Sequence, residues 1–197
     1  MKAIGLRKAR TRLERAEAAF QRLLNTSEYP KFEEAWSDLL LNLNSIYSVL
    51  EQSSHGNPKA EAWFGRKKHE RKKDPLLAYL HQARNADEHG IEPVTRFQQG
   101  GVGFGGTSGS AFVGGVTFEN GVLSVGKVID LDGGKPYVKV RHPTVQLVTV
   151  KNTIFNDVFD PPRSHREAEL PDQAPITVAK LALEYHEQLI AEASAFG

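Results

Sequence analysis

Half of the sixteen residues in segment 100–115, GGVGFGGTSGSAFVGG, are glycine. Glycine loses more backbone freedom on ordering than any other residue, so a run of this composition resists regular structure. We therefore predict a glycine-rich linker over 99–110, with different architecture on its two sides. A phosphate-binding loop is disfavoured, because the run lacks both the Gly-Lys-Ser/Thr ending and the third glycine of a dinucleotide fingerprint.

The first 90 residues show helical periodicity. Apolar residues recur three and four positions apart over 4–24, and a second helix with a wide apolar face is predicted to start near Pro30. A shorter amphipathic piece follows, in which Trp63 and Phe64 favour packing in a core or a dimer contact over stacking on bases.

The helix that carries the most informative residues begins with a clear signal. Asp74 and Pro75 are typical of an N-cap and a first helical turn, and Gly90 is placed to end this helix in a left-handed conformation. A closing helix is predicted over 176–197.

Short β-branched stretches follow the linker, and turn-forming residues separate them. Asn120-Gly121 is a strong signal for a two-residue hairpin. The predicted strands are Ala111–Phe118, Val122–Leu131, Tyr137–Arg141 and Val145–Val150. We expect consecutive strands to pair, which gives an antiparallel β-meander over 111–160, followed by a proline-rich connection over 161–175.

This order of elements is typical of an α+β protein. We predict a mainly α fold in which residues 1–98 and the closing helix 176–197 form a four-helix bundle. The small meander is inserted before the last helix and needs support from other elements, since a sheet of this size has one useful apolar face.

Composition excludes several classes of function. The chain has 197 residues and no cysteine, which excludes disulfides, thiolate nucleophiles and zinc sites built on sulfur. No run approaches the roughly 18 apolar residues of a membrane span. The N-terminal segment MKAIGLRKARTRLERAEAAF predicts a charged helix rather than a secretory signal, so we expect a cytoplasmic protein that does not interact with membranes.

Charge is distributed unevenly although the formal net charge is only +1. Residues 1–90 carry a balance of +4 and residues 91–197 a balance of −3. The positive excess is concentrated in 66–73, which is interpreted either as a solvated loop or as a contact surface for an RNA backbone. The candidate RNA-binding residues are Arg66, Lys67, Lys68, Arg71, Lys72 and Lys73.

One hexapeptide, Arg84-Asn85-Ala86-Asp87-Glu88-His89, is unusual for a helix end. Five positions along a helix correspond to about 140° of rotation and 7.5 Å of rise, so Arg84 and His89 do not share a face. Because Gly90 stops the helix, the His89 ring can turn back towards the arginine. The alternative is a solvated helix end, with Arg84 paired to Glu88 and His89 near the negative end of the helix dipole.

This Arg-Asn-x-x-x-His motif resembles that of the HEPN superfamily, the higher eukaryote and prokaryote nucleotide-binding domains. The resemblance covers residues 1–90 and the closing helix. It implies a four-helix up-and-down bundle that commonly dimerises with the motif helices facing each other. Many members are metal-independent endoribonucleases of toxin–antitoxin, phage-defence and RNA-processing systems, and others are binding modules without catalysis.

The resemblance implies a role for each motif residue. Arg84 corresponds to the phosphate-binding residue, Asn85 to its polar companion and His89 to the acid/base. His81 and Glu88 are candidates for assisting roles. We expect no cofactor and no metal, because neighbouring helical positions diverge and Asp87, Glu88 and His89 do not form a ligand set.

The chemistry agrees with these residue types. Histidine titrates near neutral pH and can transfer protons, and arginine presents a planar set of donors to two phosphate oxygens. The predicted partners are RNA, a second copy of the chain, and an antitoxin or other protein. The alternative function is a catalytically inactive HEPN-like helical module that binds RNA, a nucleotide or a protein partner.

Overall fold

The computed structural model describes residues 1–152 and 156–197, and the predicted α+β class is confirmed. The chain divides into two compact units. The first contains Met1–Arg96 and Val145–Gly197, and the second contains Phe97–Thr144. The predicted insertion 111–160 therefore differs in its bounds, and its residues 153–155 lie outside the described residues.

Five helices dominate the described part of the first unit. They are α1 (Ala3–Asn25), α2 (Tyr29–Ser54), α3 (Pro58–Lys73), α4 (Pro75–His89) and α5 (Pro175–Ser194). Helix α2 is central, since it contacts each of the other four helices. Its Trp36, Leu39, Ile46 and Leu50 are fully buried, and burial of each such side chain contributes about 1.5–3 kcal/mol. Trp63 and Phe64 of α3 are also buried in this core.

The predicted start of α4 is confirmed and the predicted reason for its end is wrong. The Asp74 carboxylate accepts a hydrogen bond from the Leu77 N–H at 3.0 Å, as an N-cap does. Gly90 has φ −96° and ψ 174°, which is extended rather than left-handed. A Cβ at Gly90 would lie 2.4 Å from the Ala86 carbonyl oxygen, so glycine is needed there for close approach to the helix end.

The proline-rich connection contains a small hairpin that the sequence analysis did not predict. Strands β9 (Ser164–His165) and β10 (Ala168–Glu169) pair antiparallel around Arg166 and Glu167, which both have positive φ. The hairpin is attached to the start of α4. His165 Nδ1 donates to Asp74 Oδ2 at 2.9 Å, and the Arg166 N–H donates to the same oxygen at 2.7 Å.

Strand pairing in the rest of the chain differs from the predicted meander. The remaining strands are β1 (Thr95–Gln98), β2 (Gly101–Gly106), β3 (Ala111–Glu119), β4 (Val122–Asp130), β5 (Pro136–Arg141), β6 (Thr144–Leu147), β7 (Val150–Lys151) and β8 (Val158–Phe159). The partners are nested: β3 pairs with β4, β2 with β5, and β1 with β6. Consecutive pairing was therefore wrong beyond the β3–β4 hairpin.

The glycine-rich segment also differs from the predicted linker, because residues 101–106 form β2. Glycine does not prevent a strand here, since β5 supplies a hydrogen-bonded partner along its whole length. The predicted hairpin turn is confirmed. Asn120 and Gly121 have φ of 52° and 80° and join Glu119 to Val122, which face each other in the register.

Within residues 1–152 and 156–197, none of the helices combines the length and the apolar character that crossing a bilayer requires.

Candidate functional site

The C-terminal half of α4 presents the candidate site residues on two faces. His81, Arg84 and Glu88 are three and four positions apart and share one face, whereas Asn85 and His89 share another. The 140° separation expected from helix geometry is therefore retained in the structure.

Arg84 is partly buried and already paired. Its Nη2 forms an ion pair with Oε2 of Glu88, one turn further along the helix, and its Nη1 donates to Asn85 Oδ1 at 3.3 Å. The Arg84 side chain is 22% exposed, and its Nε is buried without a partner among the described residues. The ion pair agrees with the solvated-helix-end alternative for this residue.

His89 lies at the end of the helix and is 74% exposed. Its Nε2 lies 4.0 Å from Oε2 of Glu88, the same oxygen that Arg84 contacts. The guanidinium pairs with this oxygen, whereas the imidazole lies beyond hydrogen-bond distance of it. Glu88 is the residue that lies near both side chains, although helix geometry places Arg84 and His89 on different faces.

A cleft of about 1100 Å³ opens beside this helix end. Gln82, Asn85 and His89 of α4 line one side of this α4 cleft, and Lys151 and Asn152 line the other. Arg84 is not among its lining residues in the described part of the chain. His89 and Asn85 can therefore contact a bound molecule directly, whereas Arg84 needs a movement of its side chain away from Glu88.

The cleft carries an excess of positive charge. Arg96 and Lys151 line it, are exposed, and form no ion pair within the described ranges, while Glu92 is its one acidic lining residue there. This charge favours an anionic ligand. Sequence analysis missed Arg96 and Lys151, because a single cation on a short strand gives no pattern to detect.

No protein-family model, curated protein or solved structure matches this chain.

His81 is placed away from the cleft. Its Nδ1 lies 3.1 Å from Asn44 Oδ1, and burial lowers the pKa of His81 to about 4, with the Arg71 and Arg84 cations acting in the same direction. It lines a separate cavity of about 20 Å³, together with Arg71 and His186. His81 is therefore neutral near pH 7 and is not positioned to contact a ligand in the α4 cleft.

The six cations of the predicted basic patch all lie on α3, and they fall into two groups of three. Lys67 contacts Glu70 and Glu192, Lys68 pairs with Glu51, and the Arg71 guanidinium lies 4.3 Å from the centroid of the Tyr47 ring. These three cations therefore make contacts within the first unit. The other three are exposed and form no ion pair among residues 1–152 and 156–197; they are Arg66, Lys72 and Lys73.

Asp87 does not join a ligand set. Ser37 Oγ donates to its Oδ1 at 3.0 Å, and burial raises the pKa of Asp87 despite this hydrogen bond. In the described part of the chain, no group of three or more His, Asp and Glu side chains is arranged to hold a metal ion.

The buried histidines make stability dependent on pH. His186 is 4% exposed, and burial lowers its pKa from 6.5 to about 4. Its Nδ1 lies 2.6 Å from the Ala182 carbonyl oxygen, and Arg71 and His165 add repulsion to its charged form. The unfolded chain therefore binds more protons than the folded chain between pH 6.5 and about 4, so stability falls as pH decreases through this window.

We expect His186 to contribute a slope of at most about 1.4 kcal/mol per pH unit in that window. Urea unfolding at several pH values measures it, and His186→Gln is expected to flatten the profile by about one proton. His55→Gln is the matched control, since His55 is exposed at the end of α2. An unchanged profile for His186→Gln would show that this histidine does not control the acid sensitivity.

Proposed function

We propose that this chain is a metal-independent endoribonuclease of HEPN type. The observation that supports it best is the position of His89, which lines a cleft with two unpaired cations among the described residues and lies 4.0 Å from the Glu88 oxygen that pairs with Arg84. An imidazole, a guanidinium and a cleft of about 1100 Å³ thus lie at one helix end, which supports the proposal.

The reaction needs no group beyond side chains of these types. An imidazole takes the proton of the ribose 2′-hydroxyl, whose oxygen attacks the adjacent phosphorus. The bond from phosphorus to the 5′-oxygen breaks, and the leaving oxygen takes a proton from a second acid. The products are a 2′,3′-cyclic phosphate and a 5′-hydroxyl. DNA is not a substrate, because it lacks the nucleophile.

Glu88 and Asn85 prepare Arg84 for this step. While no RNA is bound, the Glu88 carboxylate neutralises the guanidinium, and the RNA phosphate then replaces one anion by another. Asn85 contacts Arg84 Nη1 and also lines the cleft, so it keeps part of the guanidinium in place during the exchange. Charge-assisted hydrogen bonds of a guanidinium to phosphate oxygens are among the stronger contacts in proteins.

The RNA backbone is held by the unpaired cations. Arg96 and Lys151 line the cleft and contact phosphates next to the scissile one. Arg66, Lys72 and Lys73 on α3 form a separate contact for a longer RNA, since α3 ends beside the start of α4 and not beside the cleft, whereas Lys67, Lys68 and Arg71 contact side chains within the fold. Binding by such contacts weakens as salt increases, because each neutralised phosphate releases counterions.

We further propose that the helices form an up-and-down four-helix bundle and that the active form is a homodimer. A two-fold axis places a second copy of His89 near the first, which supplies the acid for the leaving oxygen. A cytoplasmic toxin, phage-defence or RNA-processing role follows, with an antitoxin or another protein as partner where the activity must be restrained.

The test is cleavage of RNA by the purified chain in the presence of excess chelator. We expect fragments with 2′,3′-cyclic phosphate ends from RNA and no fragments from DNA of the same sequence. Mass spectrometry of the fragments identifies the ends. Intact RNA over a range of substrates and pH would contradict the proposal, as would fragments that carry 3′-hydroxyl ends.

The second candidate is a catalytically inactive HEPN-like module that binds RNA, a nucleotide or a protein. The Arg84–Glu88 ion pair favours it, because a paired guanidinium is not available to a phosphate until the pair opens. RNA that binds in the α4 cleft and stays intact would support this second function over the first.

A further inference from the structure

The second unit carries a strand face with an unusual composition. In the β2–β5 pair, Gly101, Gly103 and Gly105 lie directly opposite Arg141, Lys139 and Tyr137, respectively. Residues that face each other in an antiparallel pair have their side chains on the same side of the sheet. One side, which we call the glycine face, therefore has glycines along one strand and a tyrosine and two cations along the other.

The tyrosine ring lies across the glycine strand. A Cβ at Gly105 would lie 2.6 Å from the Tyr137 hydroxyl oxygen and 2.7 Å from Cζ, so only glycine allows this ring position. The Tyr137 residue is nevertheless 48% exposed. The ring thus lies close to the Gly105 backbone while about half of the residue is exposed, and a stacking platform needs both.

The rest of the glycine face is open and basic. A Cβ at Gly101 would meet no atom within 4 Å, and one at Gly103 would meet only the Lys139 carbonyl oxygen, at 3.9 Å. Lys139 and Arg141 are exposed, and neither forms an ion pair among the described residues. A strip of bare backbone thus runs beside two free cations, with space for a ligand to contact it closely.

We propose that the glycine face binds single-stranded nucleic acid. One base stacks on Tyr137, and the sugar–phosphate backbone runs over Gly103 and Gly101 with phosphates at Lys139 and Arg141. Alternate residues of a strand are about 6.8 Å apart, which is close to the spacing of phosphates in an extended single strand. Aromatic side chains with neighbouring cations are the common means of binding single strands without sequence preference.

An acidic peptide is the alternative ligand, and the exposed Tyr137 ring favours nucleic acid over such a peptide. The cations attract either polyanion, whereas a flat glycine strip beside an exposed ring fits a planar base. The proposal does not depend on RNA cleavage, since it concerns the second unit and all residues of the α4 cleft belong to the first.

The test uses the full-length chain and labelled oligonucleotides of about 12 nucleotides, one of DNA and one of 2′-O-methyl RNA. Neither can be cleaved by attack of a 2′-hydroxyl, so binding is measured separately from catalysis. We expect fluorescence anisotropy to show binding of both, with Tyr137→Ala about tenfold weaker and Tyr137→Phe close to the original. Binding of 2′-O-methyl RNA alone would assign the face to RNA, and binding of both would assign it to single strands in general.

Two further variants keep the test decisive if Tyr137→Ala does not fold. Gly103→Val fills the strip at a position with open space and retains both cations, and we expect binding to weaken about tenfold. Lys139→Gln is expected to lower the slope of log K against log salt by about 0.7. Lys127→Gln on β4 is the charge-matched control and leaves the slope less affected.

Three outcomes would overturn the proposal. Binding that Tyr137→Ala and Gly103→Val leave unchanged would show that the glycine face is not used. Binding that depends on the cations and not on the ring would indicate a general polyanion surface. If Arg96→Gln and Lys151→Gln abolish binding and Tyr137→Ala binds as well as the original chain, single-strand binding belongs to the α4 cleft. Intact RNA in the cleavage assay contradicts only the nuclease.

Discussion

Replacement of His89 by alanine is expected to slow RNA cleavage by about 10²–10⁴-fold, the usual contribution of a general acid or base. The side chain is 74% exposed at the last residue of α4, so its removal leaves no cavity and the fold is retained. The measurement is the initial cleavage rate in chelator, with thermal unfolding of the same preparations as a check on folding. His55→Ala serves as the control, because His55 is another exposed histidine at a helix end.

Arg84 and Glu88 provide the companion variants for this prediction. Arg84→Lys keeps the charge but loses the planar set of donors, so we expect most of the cleavage rate to be lost. Glu88→Gln removes the anion that occupies Arg84 and is expected to strengthen RNA binding. Cleavage that persists at the original rate in His89→Ala would exclude His89 as the acid/base, and weaker RNA binding in Glu88→Gln would contradict the proposed exchange of anions.

Replacement of Asp74 by alanine is expected to destabilise the first unit by about 4 kcal/mol, because it removes an N-cap and leaves two further buried donors without an acceptor. The Asp74 side chain is 5% exposed and accepts hydrogen bonds from His165 Nδ1 and from the N–H groups of Leu77 and Arg166. Its loss removes the N-cap of α4 and releases the β9–β10 hairpin. Urea unfolding near neutral pH measures the effect.

The matched control is Asp38→Ala, since the Asp38 side chain is 44% exposed and pairs with Arg22 at the surface. We expect a loss below about 1 kcal/mol there. Equal effects of the two substitutions would contradict a special role for Asp74. Asp74→Asn retains an acceptor for the Leu77 N–H and is expected to be intermediate.

The Asp74 contribution also has a direction in pH. Burial alone would raise the pKa of Asp74, but the hydrogen bonds from His165, from the Arg166 N–H and from the Leu77 N–H outweigh it and hold the pKa below its ordinary value of 3.8. The stabilisation is therefore complete above that value and is lost as pH falls below it. The pH range in which the Asp74 contribution is lost therefore lies below the range of pH 6.5 to about 4 in which the His186 contribution is lost.

Local sequence signals predicted the helices and turns well, but they predicted poorly which strands pair with each other. The Asp74 cap and the Asn120-Gly121 turn were correct, because each depends on a few adjacent residues. The meander was wrong beyond its first hairpin, since pairing of β2 with β5 joins residues 30 to 40 positions apart, and nothing in either strand specifies the other. Residues 101–106 were predicted as linker for the same reason. A high glycine content disfavours a strand only when no partner strand is available, and β5 is that partner here.

The candidate site shows the same division. The sequence placed Arg84, Asn85 and His89 at a helix end and offered the Arg84–Glu88 ion pair as an alternative, and only the structure showed that this pair forms. It grouped six cations in 66–73 as one patch, although three of them contact acidic or aromatic side chains of other helices. The helical periodicity of α3 does not show which of these cations contact other helices, because that depends on which side of α3 faces the core.

By itself the sequence determined the helices, the N-cap of α4, the hairpin turn and the candidate site residues of α4, because all of these follow from interactions within a few positions. Tertiary structure alone decided that Arg96 and Lys151 join His89 around one cleft and that Asp74 holds a distant hairpin. It also decided that three glycines face Tyr137, Lys139 and Arg141. These contacts depend on packing between segments far apart in the chain, where many partners are chemically equivalent and only the geometry of the folded protein selects one.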